Sequence, residues 1–282
     1  MKRTLQSKYT IRCCIFSMLL FIPSVAFSGA WTAPKGKTYN RIAFNAYYTD
    51  EVFDSSGHTE DMANNGEFTD KNVSYYMEHG ITDKLTLVFS TSYKFLESDN
   101  DHEKAEDDAF SDVDLGLRCR LAQGHFGVLS MQGIVKIPEA YGDNEEISPG
   151  NGQYDGTMKL QFGRSLYPLI PGYCNVEAGY RYRDEEPADE FLYLFEFGLD
   201  FTKKIYGRVK YDAIIGMNNA DNDTSDGSNP SFAGEYDLAK VDIAFGYKLS
   251  KIWALELEGL KEVSGESVSK GITYTVAVSF VL

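Results

Sequence analysis

From Lys37 onward, apolar and polar positions alternate with a period of two rather than the 3.6 of a helix. The contrast is sharpest between Asp112 and Leu121, where Val113, Leu115, Leu117, Cys119 and Leu121 alternate with Asp112, Asp114, Gly116, Arg118 and Arg120. Four charges therefore share one face of a single strand. Between Lys84 and Phe95, Leu85, Leu87, Phe89, Thr91, Tyr93 and Phe95 alternate with Thr86, Val88, Ser90, Ser92 and Lys94. The same cycle predicts twelve strands, near 38–49, 67–79, 84–97, 111–121, 126–138, 155–164, 174–184, 190–201, 205–217, 236–249, 252–263 and 270–282.

A soluble β-barrel also alternates, with its apolar face inside; a membrane barrel reverses the two faces. Connection length separates the cases. Tight turns at Gly80–Asp83, Gln123–His125, Thr202–Lys204 and Ser250–Lys251 interleave with long polar segments at Glu51–Asn65, Glu97–Phe110, Glu139–Gln153 and Asn218–Gly234. Outer-membrane barrels have short periplasmic turns, long outer loops and an even strand number. The expected fold is therefore all-β: a single closed antiparallel up-and-down transmembrane barrel of about twelve strands over residues 29–282.

Composition agrees with this. The 19 Tyr and 18 Phe bring aromatic residues to 14 % of the 282-residue chain, which suits pleated surfaces and interfacial girdles. Mean hydropathy is only -0.32, and after residue 28 no apolar run approaches the ~20 residues of a spanning helix. Residues 1–28 have a basic start (Lys2, Arg3, Lys8, Arg12), an apolar stretch from Cys13 to Ala26, and small residues at Ala26 and Ser28. This reads as a signal peptide cut before Gly29. Without it, 23 basic side chains face 42 acidic ones, a net charge of -19 that repels nucleic acid. Cys13 and Cys14 leave with the leader, and Cys119 and Cys174 are expected as free thiols.

Several ordered motifs resemble the outer-membrane family named for a "MetA-pathway of phenol degradation", whose members are regarded as channels or transporters. They are Ser111-Asp112-Val113-Asp114-Leu115-Gly116-Leu117-Arg118, Lys136-Ile137-Pro138, Phe162-Gly163-Arg164-Ser165-Leu166, Ala178-Gly179-Tyr180-Arg181-Tyr182-Arg183 and Pro187-Ala188-Asp189-Glu190. Cys119, where an aromatic is usual, and the ending Phe280-Val281-Leu282 depart from the pattern. The resemblance implies a channel-like barrel.

The proposed inward face carries Arg41, Asp112, Asp114, Arg118, Arg120, Glu177, Arg181, Arg183, Glu196, Arg208, Lys210, Asp212, Lys240, Asp242, Glu256 and Glu258. Charges inside a barrel must be paired or solvated. They either line a watery passage or lock into salt-bridge ladders as structural filling. No His lies mid-strand beside a nucleophile, so no enzyme and no cofactor are expected. Asp221, Asp223 and Asp226 have spacings that suit Ca²⁺, but Phe232 or Ala233 stands where an EF-hand loop needs its last glutamate.

The expected role is passive passage of a small hydrophobic or aromatic molecule across the outer membrane. A non-conducting barrel associated with polymer export and a periplasmic ligand-binding barrel are the alternatives. The expected partners are outer-membrane lipid, an unidentified permeant and, during biogenesis, the barrel-assembly machinery.

Overall fold

A computed structural model describes residues 29–138, 146–150, 152–184, 187–220 and 233–282. The strands are β1 (Thr38–Phe53), β2 (Thr59–Asp61), β3 (Glu67–Thr82), β4 (Leu85–Asp99), β5 (Lys104–Phe110), β6 (Val113–Gly124) and β7 (Gly127–Ile137). They continue with β8 (Asp155–Ser165), β9 (Gly172–Arg183), β10 (Glu190–Asp200), β11 (Ile205–Gly216), β12 (Asp237–Lys248), β13 (Trp253–Glu266) and β14 (Val268–Val281). Twelve of these follow one another around a barrel as antiparallel neighbours, and β14 closes on β1 in a register that sets Arg41 opposite Ser279 and Phe44 opposite Val276. Every expected strand is present. The other two, β2 and β5, are hairpin arms that pair with the outer ends of β1 and β4.

These arms correct the reading of Glu51–Asn65 and Glu97–Phe110 as polar loops. Charged residues such as Glu97, Glu106 and Asp108 hide the alternation there, yet the backbone bonds of a ladder do not depend on an apolar face. In the turn between β1 and β2, the Asp54 carboxylate accepts the backbone N–H groups of His58 and Ser56, each at 2.8 Å. Those two bonds, His58 first, hold its pKa below the usual carboxylate range.

The faces are inverted relative to a soluble barrel. On β6, Leu117 is 47 % exposed while its neighbour Arg118 is 2 % exposed; on β13, Leu257 is 61 % exposed and Glu256 3 %. The outward rows are apolar around the whole wall, and the buried rows carry Arg118, Gln161, Asn175, Glu196 and Asp242. Lipid is the solvent that such an exterior matches. A periplasmic ligand-binding barrel requires the opposite arrangement. The chain from Gly29 to Lys37, the start of β1 and the end of β14 lie at the end with the tight turns, which is the periplasmic end by the length rule.

Candidate functional site

The lumen is built from three parts. The first is a strap before β1. Residues 29–36 turn inward and cross the periplasmic end from β1 to β9, and Ala30 and Ala33 are fully buried. Ala30 donates its N–H to Asn175 Oδ1 (3.1 Å) and accepts from Ser130 Oγ (2.5 Å). Ala33 donates to Thr86 Oγ1 (2.9 Å), and Trp31 O accepts from Arg118 Nη1 (2.9 Å). A strap without regular structure can be buried only if its backbone polar groups find partners, and inward side chains of β4, β6, β7 and β9 supply them. The Trp31 ring lies over Gly163, where an added Cβ would come within 2.5 Å of it, and edge-on to Tyr173 at 5.6 Å.

The second part is an ionic ladder on the wall from β10 round to β1. Arg41 meets Glu256 (3.2 Å) and Glu258 (2.7 Å), and Arg208 meets Glu258 (2.5 Å), Asp242 (3.7 Å) and Glu196 (3.9 Å). Lys210 continues to Asp242 (3.3 Å) and Asp212 (3.7 Å), and Asp212 reaches Lys240 at 4.0 Å. Tyr206 and Tyr173 donate their hydroxyls to Glu256 and Glu196, each at 2.7 Å. Buried charges persist where each has several opposite charges and hydrogen bonds to offset desolvation. Here each arginine has at least two carboxylates.

The third part is a chamber of about 530 Å³ against the wall from β3 to β10. Its charged lining is mostly tied up: Lys136 to Asp155 (2.8 Å) and Asp112 (3.6 Å), Arg181 to Glu190 (2.7 Å), and Arg183 to Glu190 (3.2 Å). The hydroxyls of Ser74, Ser90, Ser92, Ser111 and Thr157 fill the gaps between these pairs. A smaller cavity of about 150 Å³ adjoins it, and Lys159 and Arg181 line both. Towards the outer mouth, Ile147 is buried against Phe68 and Leu96. Towards the strap, the buried pair Arg118–Glu78 (3.0 Å) is tied to Gln132 Oε1 at 2.7 Å.

The sixteen residues singled out from sequence divide among these parts. Arg41, Glu196, Arg208, Lys210, Asp242, Glu256 and Glu258 belong to the ladder; Asp112, Asp114, Arg181 and Arg183 line the chamber. Glu177, Asp212 and Lys240 line the smaller cavity, and Arg118 holds the strap. Arg120 sits half-buried opposite Ser130 near the periplasmic end and joins no ion pair among the described residues. Sequence reading missed Lys94, Lys136, Asp155, Lys159, Glu190 and Glu78. The signal for Asp155 and Lys159 was present in their alternation with Gly156, Met158 and Leu160 on β8.

Other candidates lie elsewhere. His79 shares a 2.8 Å hydrogen bond with Thr38 Oγ1, and His58 lies 3.5 Å from Asp54 in the hairpin turn. Cys119 and Cys174 are free and half-buried. No group of three or more His, Cys, Asp or Glu among the described residues could hold a metal ion. The possible Ca²⁺ residues Asp221, Asp223 and Asp226 lie outside the described residues.

No protein-family model matches the chain, and no curated protein does. Solved structures do match in fold. The COG4313 outer membrane channel from Pseudomonas putida F1 aligns with a TM-score of 0.73 at 12 % identity, over 92 % of this chain and all of that one. The translocator domain of the autotransporter NalP from Neisseria meningitidis aligns at 0.54 and 12 % identity, over 88 % of this chain and 89 % of that one. The KdgM porin aligns at 0.51 and 8 % identity, over 85 % and 98 %. At such identities the likeness is one of fold, and the fold is that of outer-membrane barrels.

Proposed function

We propose that the chain is a non-enzymatic outer-membrane channel through which small hydrophilic solutes pass passively. The observation that carries this reading is the chamber, a space inside a lipid-facing barrel in which Ile134 and Ala233 are the only aliphatic residues among the twenty described residues that line it. Charged and hydroxyl side chains predominate in this lining beside the rings of Tyr75, Tyr76 and Tyr236, and they favour a hydrated solute over a hydrophobic one. The permeant proposed here is accordingly polar, in place of the hydrophobic or aromatic one expected from sequence. Kinship with the phenol-degradation family rests on the motifs alone.

Two further elements complete the reading. Export uses a signal peptide cut before Gly29, which leaves a strap short enough to be held by Asn175 and Ser130. Insertion then proceeds through the barrel-assembly machinery into outer-membrane lipid. The alternative of a non-conducting structural barrel is favoured by one observation, the strap across the periplasmic mouth beside the ionic ladder from β10 to β1.

Planar-bilayer recording of the full mature chain and of a chain lacking residues 29–36 tests the choice. Discrete single-channel steps are expected, with larger conductance in the shortened chain. Silence from both chains, with folded barrels shown by heat-modifiable gel mobility, would mean that the barrel is structural.

A further inference from the structure

The charges around the chamber are sorted along the wall. At β6 and β7, Asp112 and Asp114 face the ammonium of Lys136, which leaves these two strands one charge negative among the described lining residues, while Lys94 on β4 pairs with Asp70 at 3.4 Å. From β8 to β10, Lys159, Arg181 and Arg183 stand with Asp155, which lies opposite Arg183, and with Glu190, which leaves this stretch one charge positive among the described lining residues. Two of these groups are also less engaged than their neighbours. Among the described residues Asp114 forms no ion pair and accepts one hydrogen bond, from Ser90 Oγ at 3.1 Å. Lys159 has its nearest carboxylate, Glu177, only at 3.9 Å.

Lys159 is placed deliberately by the wall. Its stem crosses Gly179 on the neighbouring strand, where an added Cβ would lie 2.7 Å from Lys159 Cγ. The ammonium is thereby carried to the partition between the two cavities, beside Arg181. A structural lysine would complete a close pair. This one has only the long contact with Glu177 and lines both cavities.

Neighbouring stretches of one wall that carry opposite net charge set up a field along it, and such a field favours a solute that carries both signs. We propose that the chamber is a recognition site for small zwitterions of amino-acid to dipeptide size. Asp114 receives the solute's ammonium, and Lys159 with Arg181 receives its carboxylate. The chamber volume lies within the range of small-molecule sites, ~300–1,000 Å³. The inference rests on the reading of the lumen as a passage and adds the class of solute that it selects.

The test is uptake of four radiolabelled solutes into proteoliposomes containing the full mature chain. Diglycine is zwitterionic, N-acetylglycinamide neutral, N-acetylglycine anionic and glycinamide cationic. Attraction at both ends across a partly hydrated chamber should make diglycine enter roughly tenfold faster than the neutral solute. Asp114→Asn should shift the preference to N-acetylglycine and Lys159→Gln to glycinamide, each abolishing most of the diglycine advantage. Equal entry of diglycine and N-acetylglycinamide would overturn the proposal, because the spare charges would then be merely hydrated. That comparison uses the unaltered protein, so it decides the matter even if a variant does not fold. Exclusion of all four solutes by folded barrels would instead overturn the channel reading itself.

Discussion

Arg118→Met is the substitution that should separate the strap from the wall most directly. The guanidinium is fully buried and makes three contacts: Glu78 at 3.0 Å, Gln132 Oε1 at 2.7 Å and Trp31 O at 2.9 Å. Methionine keeps most of the volume and loses all three, and the buried Glu78 carboxylate is left with the Tyr76 hydroxyl. Removing one member of a buried ion pair costs ~3–5 kcal/mol of barrel stability. The part felt by the strap is the bond to Trp31 O, ~1.5–3 kcal/mol for a charged donor. That corresponds to a rise of roughly ten- to a hundredfold in the released strap population. The chain has two tryptophans, so in a Trp253→Phe background Trp31 reports alone. Acrylamide quenching of Trp31 should increase in Arg118→Met, and the urea midpoint of the lipid-inserted barrel should fall. Glu78→Gln retains the bond to Trp31 O, so it should lower the midpoint while increasing quenching far less. Unchanged Trp31 protection in Arg118→Met would show that the arginine does not retain the strap.

Three other outcomes are expected. Leu257→Arg places a charge on the lipid face of β13 and should cost ~2–4 kcal/mol if the site lies near the bilayer midplane, measured as folding yield and urea midpoint in vesicles. Gly246→Val forces the Tyr206 ring, 2.0 Å from where the new Cβ would stand, off its seat and away from Glu256. Overpacking of this kind should destabilise the barrel by ~1–3 kcal/mol, read from the temperature at which heat-modified gel mobility appears. Ile147→Ala loosens the buried contact with Phe68 and Leu96 at the outer mouth and should raise single-channel conductance with little change in ion selectivity, because no charge is altered.

Strand positions were legible because lipid and lumen impose opposite chemistry on alternate residues, a signal that survives in β6, β13 and β14 without any knowledge of contacts. Where that contrast fades, so does legibility. The arm formed by β5 has Lys104, Glu106 and Asp108 on one face and Ala105, Asp107 and Ala109 on the other, so period two gave no sorting, and only backbone pairing with β4 makes it a strand. The strap was invisible for a related reason. Its eight residues have no period, and its burial depends on side chains such as Asn175 and Thr86 that are distant in sequence. Alternation singled out sixteen charges, but the division of their contacts among ladder, chamber and strap depends on which strands face one another across the barrel, which no local pattern encodes.

That division explains how twelve strands can hold both a filled and an open interior. On the ladder side, Arg208 alone meets three carboxylates from β10, β12 and β13, so charge pairing spans three strands and removes free volume as it does so. On the chamber side the pairs are local: Lys136 meets Asp155 on the adjoining strand, and Arg181 meets Glu190 on the next one. Pairs that run along the wall leave the centre unoccupied, whereas pairs that gather several strands around one guanidinium close it. Short serines at 74, 90, 92 and 111 widen the same side. Replacing Ser90 and Ser92 together with leucine should therefore shrink the chamber and slow solute entry while leaving the ladder intact. Unchanged uptake from such a folded variant would place the route of passage elsewhere in the barrel.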